Sequence, residues 1–102
     1  MLYPGPIKVG AFDIAVVPWR GAEAYGEFRS TRLEIAIGDD LSGQRLAETL
    51  LHELMHAIWH VWALSKTNGQ EVVVRAMALG MATVMRDNPE LMPWIQSQLR
   101  GS

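Results

Sequence analysis

The chain contains no cysteine, which excludes disulfides and thiolate ligands and leaves imidazole and carboxylate as the only strong metal donors. It also lacks a surplus of positive charge. With 9 Lys and Arg against 11 Asp and Glu, the formal charge is −2, so there is no basic face for a phosphate backbone and no direct nucleic-acid contact is expected. A long unbroken apolar run is missing as well: the longest, Leu46 to Leu64, is interrupted by two histidines and Glu53 and does not read as a membrane span. Met1 to Gly10 holds two prolines and one lysine but no apolar core of signal-peptide length, which suits a cytoplasmic protein.

At 102 residues, 49% hydrophobic and 20% charged, the composition is that of an ordinary globular chain, long enough for a single domain over 1–102 with a modest core. Pro4-Gly5-Pro6 reads as an irregular lead-in. Ile7-Lys8-Val9 and Phe12 to Val17 are β-branched and partly alternating, giving one or two strands that end at Pro18. A hairpin follows, with Ala24 to Arg29 and Arg32 to Ile37 as its arms. In the second arm, Leu33, Ile35 and Ile37 alternate with Arg32, Glu34 and Ala36, the pattern of a strand with one buried and one wet face.

From about Gln44 to Leu64 the apolar spacing becomes helical, with Asp40 or Ser42 available as a cap. Leu46, Leu50, Leu51, Leu54, Met55, Ile58, Val61 and Trp62 share one arc, whereas Arg45, Thr49, His52 and His56 lie on the other. A second helix, about Gln70 to Asp87, has Ala76, Gly80 and Ala82 for close approach to a neighbour and is stopped by Asn88-Pro89. Leu91 to Leu99 forms a short last helix that sets Trp94 against the core. The fold class is therefore α+β: a small, mainly antiparallel N-terminal sheet on a long helix, then an antiparallel second helix and a short third.

The chemistry concentrates in His52-Glu53-Leu54-Met55-His56. Histidines four residues apart stand one helical turn above each other, so both rings reach one point about 2 Å from each nitrogen, where a zinc ion fits. Glu53, beside the first histidine, reaches a water on that ion as a general base. Both histidines lie off the apolar arc, which places them on a cleft floor and not in the core. A catalytic zinc takes a third protein ligand. The downstream candidates are His60, Glu71, Asp87 and Glu90. His60 is about 12 Å of helix rise beyond His52 and cannot share its ion. Glu71 opens the second helix, where a carboxylate also serves as a partner for the helix dipole.

The run Ala47 to Trp59, with Glu71-Val72-Val73, Arg86-Asp87-Asn88-Pro89 and the upstream Tyr25-Gly26-Glu27, resembles the short phage-encoded metallopeptidases related to ImmA/IrrE. The resemblance spans about Ile7 to Trp94 and is most specific over Thr49 to Trp59. It implies a minimal zincin of the gluzincin kind that hydrolyses peptide bonds. Zn2+ would be held by His52, His56 and Glu71, with Glu53 as general base. The substrate would be a peptide or protein of the phage or its bacterial host, transcriptional repressors among them. Gln70 and Arg75 depart from the asparagine and aspartate that longer gluzincins carry near the ligand glutamate. Tyr25 and His60 are candidates for stabilising an oxyanion, and an extended substrate is expected to lie beside Arg32 to Ile37. The alternative is a metal-binding regulatory or interaction module with little catalytic activity.

Overall fold

The computed structural model describes residues 2–101. Among them, β1 (Ile7–Val9), β2 (Phe12–Trp19), β3 (Gly26–Arg29) and β4 (Glu34–Gly38) precede α1 (Gly43–Val61), α2 (Gln70–Asp87) and α3 (Leu91–Gly101). The sheet order is β1-β2-β4-β3. β1/β2 and β3/β4 are antiparallel, whereas β2/β4 is parallel. The architecture is the expected α+β arrangement, with the His-Glu-His stretch on the first helix.

β2 serves two partners in succession. Phe12 to Ile14 pair with β1 and Ala15 to Trp19 with β4. Past Ile14 one side of β2 therefore carries no strand among the described residues, and Pro18, which has no N–H to donate, continues the strand opposite Ile37 instead of ending it. Between β1 and β2, Gly10 adopts φ 59, and a Cβ there would lie 3.0 Å from Val61 Cγ1. Only glycine satisfies both the turn and the approach of α1.

β4 does not show the expected wet face. Ile35, Ala36 and Ile37 are all fully buried. The strand is central, and on its outer face Ala36 lies between Val17 and Glu27, in a row that also holds Trp19, Arg29 and Glu34. Arg29 spans this row: it donates to Glu27 at 2.9 Å and Glu34 at 2.8 Å, and its guanidinium sits 5.3 Å from the centre of the Trp19 ring. A methyl group among such long neighbours is covered. Leu33, with φ 53, belongs to the turn, so β4 starts at Glu34.

α1 begins after Ser42, whose backbone is extended but whose hydroxyl makes no capping bond. It ends earlier than expected. Leu64 N–H donates to the Trp59 carbonyl and Ala63 N–H to the His60 carbonyl, each at 3.0 Å, with Ala63 left-handed at φ 53. This is a Schellman closure with alanine in the position glycine usually takes. The buried arc of α1 is Leu46, Ala47, Thr49, Leu50, Glu53, Leu54, Ala57 and Ile58. It is rotated from the expected arc: Met55 is 38% exposed, while Thr49 and Glu53 turn inward beneath β3.

α2 runs over the residues its periodicity marks. At Gly80 an added Cβ would lie 2.5 Å from Ile58 Cγ2, so the two helices meet with no room for a side chain. Leu91 and Ile95 of α3 enter the same core, and Trp94 meets the Tyr3 ring edge-on at 5.7 Å. No described helix is long and apolar enough to cross a membrane.

Candidate metal centre

The i, i+4 spacing on α1 sets the His52 and His56 rings 5.0 Å apart. The donor atoms of His52, Glu53 and His56 all lie within 4.8 Å of one another, the only such group of His, Cys, Asp or Glu among the described residues. The His52 side chain is 68% exposed and that of Glu53 only 8%, with His52 Nε2 3.9 Å from Glu53 Oε2. Two accessible imidazoles and a sheltered carboxylate thus converge at one point of the surface. This donor set suits a borderline divalent ion such as zinc.

The shelter over Glu53 comes from β3. A Cβ at Gly26 would lie 2.8 Å from both Ala36 O and Thr49 Cγ2 and 3.4 Å from Glu53 Cγ. The missing side chain lets the strand settle onto α1, and that contact holds the carboxylate stem between helix and sheet.

A trough follows the line where β3 and α1 meet. One part, about 360 Å³, is lined by Tyr25, Gly26, Arg45 and Glu48 together with His52 and Glu53. The next, about 510 Å³, is lined by Gly26, Glu27, Phe28 and His60 as well as His52, Glu53 and His56. Gly26, His52 and Glu53 belong to both, so the donor cluster stands at the middle of the trough. On the other side of the histidines a mainly apolar cavity of about 600 Å³ opens between α1 and α2, lined by Met55, Trp59, Val73 and Met77.

Glu71 is not brought to this cluster. Its side chain is 83% exposed, lies 3.9 Å from Arg75, and borders a separate cavity with Trp62, Val72 and Leu79. The reason is helical phase. Val73 and Met77 face the histidines, and Glu71, two residues before Val73, lies about 200° around the helix from it. The Gly80–Ile58 contact fixes that rotation.

The remaining candidates divide in the same way. His60 lines the trough with its ring 5.6 Å from that of Phe28, outside the donor cluster. Tyr25 stands at the mouth under the Arg45 guanidinium. Asp87 is taken by Arg86 at 2.8 Å, and the bond holds its carboxyl below the usual range. Glu90 lies by α3, raising the Tyr3 hydroxyl pKa after the larger effect of burial.

Gly26 and Arg45 were not among the candidate site residues, although the sequence put Arg45 on the arc of His52 and His56. A glycine within the hairpin arm that precedes the histidine-bearing helix was the available signal for the first. The second differs from His52 by seven residues, two turns, and so shares its face. Comparison of the chain with protein-family models, curated proteins and solved structures gives no match.

Proposed function

We propose that the protein is a metal-dependent peptidase in which His52 and His56 hold a zinc ion and Glu53 is the general base. The observation that carries this reading is the convergence of two imidazoles and one buried carboxylate midway along a trough whose far wall is the open edge of a strand. When bound, the ion supplies polarisation of a peptide carbonyl and acidifies water. Glu53 takes the proton of the attacking water at Oε2 and returns it to the leaving amine nitrogen, so the C–N bond breaks with no proton left over. Its placement under β3 keeps the carboxylate in one position for both transfers.

The substrate strand belongs beside β3, not beside Arg32 to Ile37. Both edges of β4 are already paired, to β2 and to β3, whereas β3 ends the sheet next to the donor cluster. The resemblance to ImmA/IrrE-related peptidases, carried by Thr49 to Trp59, extends the proposal to a regulatory protein substrate, such as a transcriptional repressor, in a bacterial cytoplasm.

A second reading is favoured by the position of Glu71: with two histidines and Glu53 as the whole donor set, the chain is a metal-binding interaction module that cleaves little. One set of preparations separates the two. Zinc content measured by atomic emission is expected to be near one per chain in wild type and Glu71→Ala and to fall to background in His56→Ala. Glu53→Gln is expected to keep zinc and to lose at least a hundredfold in peptide hydrolysis, the scale of general-base catalysis. Zinc lost with Glu71→Ala restores Glu71 as a ligand. Zinc lost with Glu53→Gln makes Glu53 the third ligand, and zinc-loaded wild type inert toward peptides decides for the interaction module.

A further inference from the structure

We propose that Arg45 reads a carboxylate on the C-terminal side of the bound peptide, about three residues from the cleaved bond; the inference rests on the peptidase reading. Arg45 lies on the same face of α1 as His52 and about 10 Å before it along the helix axis. It lines the first part of the trough together with Tyr25 and Gly26. Its guanidinium is held 4.5 Å from the centre of the Tyr25 ring. Among the described residues it has no ion pair, although Glu48 borders the same part of the trough. An arginine steadied on an aromatic face with its donors unspent is suited to a planar carboxylate.

The register follows from strand geometry. β3 runs from Gly26, beside Arg45, to Arg29, beyond Phe28 near His60. Antiparallel addition, the commoner and slightly stronger pairing, puts the C-terminal half of the peptide toward Arg45. At about 3.3 Å per extended residue, 10 Å corresponds to three residues. Two sources present that carboxylate: an aspartate or glutamate side chain, or the free C terminus of the substrate.

The test measures binding in the non-cleaving Glu53→Gln protein with zinc in the buffer, by fluorescence anisotropy of labelled peptides of graded length up to eight residues. Asp, Asn or Lys is placed in turn at each position, with the C terminus free or amidated. An Asp peptide at one position, or a free-acid peptide of one length, is expected to bind about fivefold more tightly than its neutral counterpart. Arg45→Gln removes the difference, and Arg45→Glu turns it toward Lys. Equal binding of Asp, Asn and Lys peptides together with equal binding of free-acid and amidated peptides at every length, absence of any binding, or a preference that survives Arg45→Gln overturns the inference. Because the readout is binding in a protein that does not hydrolyse, it is independent of whether wild type cleaves. Cleavage by wild type without acidic preference removes the role of Arg45 and leaves the peptidase reading standing.

Discussion

Asn88 shows how much of the fold can hang on one side chain. It follows α2 and is buried, accepting from the Lys8 backbone N–H and donating to the Lys8 carbonyl, each at 2.8 Å, while also donating to the Val84 carbonyl. It thereby supplies β1 with the partner a further strand would give. Replacing it by alanine leaves two backbone groups of β1 without their bonds, an expected cost of about 2 kcal/mol and a fall in Tm of roughly 10 °C. Lys8→Ala is expected to cost under about 0.5 kcal/mol, because the bonds go to its backbone and its own pair with Asp13 is exposed. Thermal melts of the two variants check this, and equal losses would contradict it. In the sequence Asn88 is legible only as a helix stop, since its partner is distant along the chain. The candidate donor cluster is the opposite case. His52, Glu53 and His56 are within five residues, so one helical turn suffices to predict their meeting, whereas Glu71 depends on how a second helix is rotated, and spacing says nothing of that.

At the scale of elements, periodicity located α2 and the arms of the β3/β4 hairpin, because amphipathic spacing and turn residues are local. The parallel pairing of β2 with β4 was not legible, and with it went the central position of β4 and the burial of Ala36. The packing of α2 on α1 rests on Gly80, whose absent side chain is filled by Ile58. Gly80→Ala improves helix propensity by about 1 kcal/mol, yet its methyl overlaps a fully buried Ile58 and forces one helix aside. The net expectation is a loss of about 1–2 kcal/mol in urea denaturation. Ile58→Ala removes the opposing Cγ2, so the double variant is expected to cost less than the two single losses added, by at least about 0.5 kcal/mol. Strict additivity would mean that the contact does not set the helix spacing.

For the molecule as a whole, the consequence of the strand order is that the sheet's exposed edge and the donor cluster of α1 face one trough. Gly38 N–H donates to the Tyr25 carbonyl at 2.7 Å, which makes that pair a hydrogen-bonded one in the β3/β4 ladder. Alternation along an antiparallel ladder then turns Glu27 and Arg29 toward β4 and leaves the N–H and C=O of Gly26 and Phe28 on the open side. A peptide added there meets β3 at every second residue. For the proposed peptidase, N-methylation of the backbone amides of such a peptide, one at a time, is therefore expected to lower kcat/KM about tenfold at alternate positions, by blocking a ladder bond, and to have little effect at those between. The same alternation should persist with side chains exchanged for alanine, since the ladder is read through the backbone. A uniform response to methylation, or one that follows side-chain identity, would mean that the substrate is held by the apolar cavity between α1 and α2 and that the strand edge is only a wall.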